Sequence, residues 1–280
     1  MKKISITLTR YNEQNELVAP CIKMLSKQKN IKAVVYFLDQ KNDKDMMNLC
    51  KKLSNSNVKI LYRNIPAKSL SYARNEGIRL CRTDVLLFID CDAIPKINWA
   101  YELSKTFDVD KKIAIVGGKS VPKWLKKPRW YNKSNIAMEV YSLIDLSNKT
   151  IPTNKIVGVN FGLKKSLLGK EACFDENLGR RPGSLLGGEE SDLCRRTLSK
   201  KLKVFYTPDA VVEHQIQLDR MSLYWLMRRF YYGGLGKAIM GGKPQTYSKK
   251  RNVYDKVLLP IIAVPYILGY NQGRKLKNEK

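Results

Sequence analysis

The chain has 280 residues, enough for one large or two small domains, and its 44% hydrophobic and 28% charged residues are ordinary for a globular protein. The 52 basic and 25 acidic residues give a formal net charge of +27, which excludes an acidic surface and favours anionic partners such as nucleic acid, anionic lipid or phosphate-bearing substrates. None of the six cysteines forms a Cys-x-x-Cys pair, which excludes the common zinc and redox motifs; we expect reduced thiols and a cytoplasmic chain.

The first 115 residues alternate between strand and helix patterns. We predict strands at 4–8, 33–38, 58–62 and 85–89, and helices at 16–28, 43–53 and 69–81. Such repeated units predict a mostly parallel sheet flanked by helices, in which ligands bind outside the carboxyl ends of the strands. Three strand ends are polar and predict one shared nucleotide pocket: Thr9 to Glu13, Asp39, and Asp90 to Asp92.

The strand at 85–89 is a continuous apolar run that stops at Asp90-Cys91-Asp92. Residues i and i+2 of an extended segment point to the same side, so the two carboxylates project together. Two such charges repel each other, and burial strengthens the repulsion unless a cation lies between them. Oxygen ligands suit Mg²⁺ or Mn²⁺, and these ions commonly bridge a carboxylate pair to phosphates. The segment therefore predicts a metal–diphosphate site.

The second half predicts further strands at 113–118, 157–163, 204–206 and 210–214. Residues 119–133 are basic and contain two tryptophans; they form either a solvated loop or a surface that faces phosphate or a membrane. A glycine-containing loop, 183–188, leads into a helix that begins with Glu189 and Glu190, as the helix dipole favours.

The C-terminal part is basic and aromatic. Residues 222–240 predict an amphipathic helix, and we expect the apolar segment Val257 to Leu268 to be broken by Pro260 and Pro265. That segment is shorter than the roughly 18–20 apolar residues that span a bilayer, so we expect it not to span. Two alternatives stay open: peripheral contact with an anionic membrane, or packing on the preceding domain. The predicted domains are 1–220, with halves at 1–115 and 116–220, and the extension 221–280.

The order of these motifs resembles the family 2 glycosyltransferases with the GT-A fold. The resemblance implies that the nucleotide is bound by Thr9, Tyr11, Asn12, Glu13, Asp39, Arg74, Asn75, Asp90 and Cys91. It implies Asp90-Cys91-Asp92 as the Asp-x-Asp metal motif and His214 as a third metal ligand, the alternative being a structural histidine. It implies acceptor contacts by Asn160, Gly187, Gly188 and Asp192, and a general base from the Glu189-Glu190 pair, with Glu190 where the family usually has aspartate. Asp39 is followed by Gln40-Lys41-Asn42-Asp43 in place of the family's Gly-Ser-x-Asp.

The resemblance implies a metal-dependent enzyme that uses Mn²⁺ or Mg²⁺ and inverts the anomeric centre. It would move one sugar from a nucleoside-diphosphate sugar, UDP-linked by preference or GDP-linked, to a hydroxyl of a glycan or lipid-linked acceptor. The Gln-x-x-Arg-Trp signature of processive synthases is missing, which favours a single transfer. The alternatives are a nucleotidyltransferase-like enzyme, a basic nucleic-acid- or membrane-binding protein, and an inactive scaffold.

Overall fold

The computed structural model describes residues 1–244 and 252–278. Its centre is one sheet with the strand order β3-β2-β1-β4-β8-β6-β9-β5, and β7 pairs with β9. The strands are β1 Lys2–Arg10, β2 Ile31–Asp39, β3 Val58–Asn64, β4 Val85–Asp90, β5 Ala93–Pro95, β6 Ile113–Trp124, β7 Ile151–Pro152, β8 Asn160–Lys164 and β9 Lys203–Ile216. The first four strands pair in parallel, as β6 does with β9, whereas β8 runs antiparallel between β4 and β6. The predicted α/β class is confirmed.

Helices cover the sheet and extend the C-terminal end of the fold. They are α1 Asn15–Leu25, α2 Lys44–Leu53, α3 Leu70–Leu80, α4 Trp99–Thr106, α5 Asn135–Val140, α6 Lys165–Leu168, α7 Glu189–Ser199, α8 Leu223–Ile239 and α9 Val253–Asn278. Side-chain caps fix several starting points: Ser69 accepts a hydrogen bond from the Tyr72 N–H, and Ser222 accepts one from Trp225. The helix predicted at 16–28 ends at Leu25, after which the N–H groups of Lys27 and Gln28 donate to carbonyls three residues earlier, those of Met24 and Leu25.

Strand β4 is buried on both faces, and this burial fixes the position of the charged Asp90 at its end, at the edge of the sheet. Leu87 and Ile89 belong to the larger core cluster with β1, α1 and α4, and Leu86 and Phe88 belong to a second cluster on the other face. Phe88 stacks on Phe161 of β8 with ring centroids 4.6 Å apart. These contacts fix β4 along its length, so that Asp90 and the turn after it have a defined position.

Several elements differ from the sequence prediction. The strands predicted at 204–206 and 210–214 are one strand, β9. Its residues 208–210 fall at a register shift between Gly118 and Lys119 of β6, so the pairing with β6 continues on both sides of them. The strand predicted at 157–163 begins only at Asn160, whose N–H closes a turn onto the Val157 carbonyl. The segment 119–133 is part strand, since β6 continues to Trp124, and part 3₁₀ helix at Trp130–Lys133.

The predicted break at Pro260 and Pro265 is wrong, because α9 continues through both prolines. Close packing on α8 offsets the missing backbone hydrogen bonds: a Cβ added to Gly269 would lie 1.9 Å from the Tyr231 carbonyl oxygen. Within the part of the chain that the structure describes, α9 is the helix that is long and apolar enough to cross a membrane by length and composition. The boundary at residue 220 stays a prediction, and residues 245–251 and 279–280 of the predicted extension lie outside the described ranges.

Candidate active site at the carboxyl ends of the parallel strands

A cavity of about 400 Å³ opens where β1 and β4 end. One wall comes from the turn after β1 and from Gln40 and Lys68; the other comes from 180–185 and from the segment that leads into α8. The predicted residues that line it are Thr9, Tyr11, Asn12, Glu13, Asp90, Cys91 and Asp92. The strand-end placement expected from the sequence therefore brings the first and third polar segments together.

Arg10, which the sequence analysis did not single out, organises the turn after β1. Its buried guanidinium donates to the Glu13 carbonyl, at 2.6 and 2.9 Å, and to Asn15 Oδ1 at 2.7 Å. The Glu13 carboxylate accepts from the backbone N–H groups of Tyr11 and Asn12, at 2.9 and 3.2 Å. These bonds fix the backbone of the turn that lines the cavity. The sequence feature that could have identified Arg10 is its position between two predicted nucleotide contacts.

Asp39 does not line the cavity. Its carboxylate is fully buried and accepts hydrogen bonds from Tyr62 Oη at 2.8 Å, from the Lys41 N–H at 2.9 Å and from Arg10 Nη1 at 3.4 Å. Three donors thus hold it toward the protein interior, which does not support the implied contact with a base. The next residue, Gln40, lines the cavity instead, and its Oε1 has no hydrogen-bond partner among the described residues.

Asp92 lines the cavity, and His214 contacts its carboxylate from outside the lining. His214 Nδ1 is 2.7 Å from the Tyr141 carbonyl oxygen and must carry a proton there, and Nε2 lies 3.3 Å from Asp92 Oδ1. Nε2 has no hydrogen-bond partner within residues 1–244 and 252–278. Burial would raise the pKa of Asp92, but His214 and Arg220, whose Nη1 lies 3.0 Å from Oδ2, hold it well below its usual range. A carboxylate oxygen next to an imidazole nitrogen is a ligand pair that fits Mn²⁺ better than Mg²⁺, because Mg²⁺ takes oxygen ligands.

Asp90 lines the same cavity but turns toward Arg74, whose Nη2 lies 3.3 Å from its Oδ1. Burial and the charge of Asp92 raise the pKa of Asp90 in spite of the opposing Arg74. In the described ranges, no three acidic, histidine or cysteine side chains converge tightly enough to form a complete metal site. The structure therefore brings two of the three predicted ligands into contact and keeps the third in the cavity wall.

Arg74 connects the Asp-x-Asp segment to the predicted base. Its buried guanidinium contacts Glu189 Oε1 at 3.0 Å, Glu190 Oε1 at 2.8 Å, Asp90 Oδ1 at 3.3 Å and the Gly158 carbonyl at 3.0 Å. Burial would lower the pKa of Arg74, but the surrounding carboxylates, Glu190 first, raise it above its ordinary value. The guanidinium therefore stays charged and fixes the distance between the two acidic segments.

The adjacent glutamates at the start of α7 have unlike environments. Gly188, at φ 111°, supplies the left-handed backbone that begins the helix. Burial and the charge of Glu190 raise the pKa of Glu189 to about 8, and its Oε2 has no partner in the described chain. Burial also acts on Glu190, but Arg74 and hydrogen bonds lower the pKa of that carboxyl. Of the two carboxyls, Glu189 therefore holds a proton more readily, and Glu190 is the more acidic.

Three other predicted residues make structural contacts outside the cavity lining. Asn160 is fully buried: it accepts from Trp99 Nε1 at 2.7 Å and donates to the carbonyls of Lys119 and Ala210. Asp192 pairs with Arg195 and Arg196 one turn along α7, at 2.6 and 2.8 Å. Asn75 exchanges two hydrogen bonds with the backbone of Phe174. The geometry does not support the substrate contacts that the resemblance implies for these three side chains.

Two predicted glycines and one cysteine contribute backbone. Gly187 packs its carbonyl against Gly236 of α8, and Gly188 precedes α7; neither lines the cavity. The Cys91 thiol lies in the core, where burial raises its pKa, while its N–H donates to the Thr9 carbonyl at 3.3 Å.

The far wall of the cavity is basic, and the sequence analysis did not single out its residues. Arg180, Arg220 and Arg228 line it together with Trp225 and Gln217. Burial and the charges of Arg220 and Arg229 lower the pKa of Arg180 to about 10, so the arginines repel each other opposite Asp90 and Asp92. Such a cluster suits a ligand with several negative charges. The detectable signal was the Arg180-Arg181 pair beside the glycine loop.

Comparison with known structures places the fold. A structure of GalNAc-T7 with UDP, GalNAc and Mn²⁺ superposes on 86% of this chain and 50% of its own, with a TM-score of 0.59 and 14% identity. The mannosyltransferase PcManGT from Pyrobaculum calidifontis, in complex with GDP-Man and Mn²⁺, superposes on 97% of this chain and 73% of its own, with a TM-score of 0.61 and 14% identity. At this identity the likeness shows the fold, and it confirms the predicted GT-A architecture.

Sequence comparison gives relatives of similar kind. The glucosyl-dolichyl phosphate glucuronosyltransferase of Haloferax volcanii is 26% identical over 212 residues, 73% of this chain and 66% of that protein. The poly(ribitol-phosphate) beta-glucosyltransferase of Bacillus spizizenii is 24% identical over 265 residues, 90% of this chain and 38% of that protein. The chain thus spans between about a third and two thirds of these relatives. Residues 5–170, more than half of the chain, match the model described as glycosyl transferase family 2, and the chain belongs to that family.

Proposed function

We propose that the protein is a metal-dependent, inverting glycosyltransferase that moves a single sugar from a nucleoside-diphosphate sugar to an acceptor hydroxyl. The observation that carries the proposal is the cavity itself, in which Asp90 and Asp92 face Arg180 and Arg220 at the carboxyl ends of β1 and β4. A nucleoside diphosphate carries negative charge, which complements the arginines of the cavity wall, and a cavity of about 400 Å³ has the size of a cofactor site.

Mn²⁺ or Mg²⁺ held by Asp92 and His214, with Asp90 in reach, would neutralise charge on the diphosphate. Arg180 and Arg220 stabilise the same leaving group through charge-assisted hydrogen bonds. On the nucleoside side, the turn from Thr9 to Glu13 and Gln40 take the ribose and base. We favour a uridine donor, with guanosine as the alternative.

Glu190 is the general base. Its lowered pKa keeps it ionised at neutral pH, and 17% of its side chain is exposed, whereas Glu189 is closed off and protonated. The acceptor hydroxyl gives its proton to Glu190 while its oxygen bonds to the anomeric carbon and the bond to the diphosphate breaks. The products are the glycoside and the nucleoside diphosphate, and a single displacement inverts the anomeric centre.

The acceptor class is a glycan or a lipid-linked saccharide. Two relatives support this range by their names, since one modifies glucosyl-dolichyl phosphate and the other poly(ribitol-phosphate). The acceptor enters on the side of residues 183–185 and α8, opposite the nucleoside wall. We propose that the enzyme works in the cytoplasm, where nucleotide sugars are available.

The test is a donor screen with UDP-, GDP- and dTDP-sugars in Mn²⁺ or Mg²⁺, measuring binding and turnover separately. We expect Asp92→Asn to lose metal-dependent donor binding, and Glu190→Gln to keep binding while turnover falls by about 10²–10⁴-fold. Asp192→Asn is the matched control, because it removes an acid of the same helix that pairs with Arg195 and Arg196 and not with Arg74. If Asp92→Asn binds donors like the wild type, or if Asp192→Asn loses as much turnover as Glu190→Gln, the proposal fails.

A further inference from the structure

Helix α9 is apolar on two opposite faces. One face packs on the protein through Leu258, Ile262, Tyr266 and the glycines that meet α8. The other face carries a stripe of exposed side chains, which we call the α9 stripe: Val253, Val257, Pro260, Val264, Ile267 and Leu268. Its five largest members are between 52% and 66% exposed. Spaced by three and four residues, they form one line of about 22 Å along the helix.

The rim of the α9 stripe is positively charged. Lys256, Arg274 and Lys275 are exposed on the same side of the helix. The one acid within the described residues of α9, Asp255, is buried, where it accepts from Ser134 Oγ at 2.5 Å and from the Ile136 N–H at 3.0 Å. The exposed face of α9 therefore combines apolar side chains with cations and presents no carboxylate.

A second basic and apolar segment lies beside the start of α9. Asn252 Nδ2 donates to the Lys133 carbonyl at 2.9 Å, which ties the helix to the 3₁₀ turn at Trp130–Lys133. Trp130 and Leu125 are 40% and 43% exposed, and the residues between them include the exposed Lys126, Lys127 and Arg129. Tryptophan with basic neighbours is typical of the bilayer interface.

We propose that the α9 stripe docks on an anionic lipid bilayer, with α9 lying in the plane of the headgroups. The charge of the rim selects this occupant: anionic headgroups complement Lys256, Arg274 and Lys275, whereas a second copy would bring the same cations together. The packed face favours this in-plane orientation over a spanning one. Backbone contacts as close as that of Gly269 with the Tyr231 carbonyl, and the buried Asp255, keep one face of the helix on the protein.

Docking brings the acceptor side of the cavity to the membrane. Helix α8 packs along α9, and its first turns supply Trp225 and Arg228 to the cavity wall. Next to that wall, Leu218 and Tyr224 are 60% and 67% exposed. A lipid-linked acceptor in the same leaflet would reach the cavity without leaving the bilayer. The docking itself does not depend on the proposed transfer reaction.

The test is flotation of the full chain with vesicles of phosphatidylcholine that contain about one third phosphatidylglycerol, against pure phosphatidylcholine. We expect the variant Val257→Gln/Val264→Gln/Ile267→Gln to lose at least about tenfold in partition to the anionic vesicles. The matched control is Val109→Gln/Leu198→Gln, which replaces exposed apolar residues of other elements and should partition like the wild type. Because all five positions are exposed, circular dichroism should report an unchanged fold.

Charge and orientation are tested separately. Lys256→Glu/Arg274→Glu/Lys275→Glu should lower binding to the anionic vesicles and leave the weak binding to phosphatidylcholine unchanged. Alkaline carbonate should release the bound protein, as expected of a helix in the interface. Retention after carbonate would indicate a spanning helix. The proposal would be overturned if the stripe variant and the wild type partitioned equally to the vesicles. It would also be overturned if the stripe substitutions converted a dimer into a monomer in sedimentation and left vesicle binding unchanged.

Discussion

Replacing Arg74 with methionine should destabilise the protein far more than removing another paired arginine. The side chain of Arg74 is 1% exposed and neutralises Glu190 and Asp90, whose side chains are 17% and 28% exposed. Removing one partner of a buried ion pair costs about 3–5 kcal/mol, and the partial exposure of both carboxylates points to the lower end, about 3 kcal/mol. With an unfolding entropy of about 2.1 cal/mol/K per residue, that loss lowers Tm by roughly 5 °C.

The assay is urea unfolding of Arg74→Met beside Arg196→Met, at several pH values. Arg196 also contacts two carboxylates, Asp192 and Glu171, but its side chain is 20% exposed, and about 1 kcal/mol is expected there. The wild-type advantage from Glu190, whose pKa is lowered in the fold, is present above about pH 4.5 and is lost as pH falls. The gap between Arg74→Met and the wild type should therefore narrow toward pH 4. Equal losses in the two variants, or a gap that does not change with pH, would refute the reasoning.

Three further outcomes follow from the same contacts. Below about pH 4.5, Glu189→Gln should have the same unfolding free energy as the wild type. From there to about pH 8 the variant should become increasingly more stable than the wild type, because the raised pKa of Glu189 costs stability over that interval. Urea titrations at both ends of the interval measure the difference. Gly158→Ala should abolish turnover and lower Tm, since its Cβ would lie 1.7 Å from Glu190 Oε1 and 2.5 Å from Arg74 Nη2 and would displace both groups; an activity assay and a thermal scan measure the two losses. Gly269→Ala should lower Tm by forcing α9 off the Tyr231 carbonyl, and a thermal scan that shows no change would contradict that packing.

The strands in the first half of the fold could be predicted from the sequence, because each is a short apolar run that is followed by a polar residue. The clearest case is the strand predicted at 85–89, which in the structure begins at the same residue and ends one residue later, at Asp90. The direction of a side chain at a strand end was not accessible. Asp39 has the expected position, but Tyr62 and Arg10, which are brought to it by neighbouring strands, turn its carboxylate inward.

The second half depends on pairing between distant residues, and sequence patterns report it poorly. The amide of Asn160 reads as a polar group available to substrate, yet Trp99, Lys119 and Ala210 converge on it only once β6, β8, β9 and α4 have assembled. The prolines of α9 read as breaks, because the stabilising partner of that helix is the backbone of α8. Arg180 is not part of any periodic sequence pattern, because it lies in a loop. The position of that loop is set by a hydrogen bond from the Leu70 N–H to the Arg180 carbonyl.

The positive charge of the chain has two structural locations with different physical consequences. In the cavity, Arg220 is paired with Asp92, whereas Arg180 is desolvated and repelled by Arg220 and Arg229, and a polyanionic ligand relieves that repulsion at close range. Along α9, Lys256, Arg274 and Lys275 are solvated, so their attraction to headgroups acts over about a Debye length and weakens with salt. The buried cations therefore determine what binds in the cavity, whereas the exposed ones determine where the protein resides. A single net charge of +27 conceals this division, which becomes visible only when burial is known for each arginine and lysine.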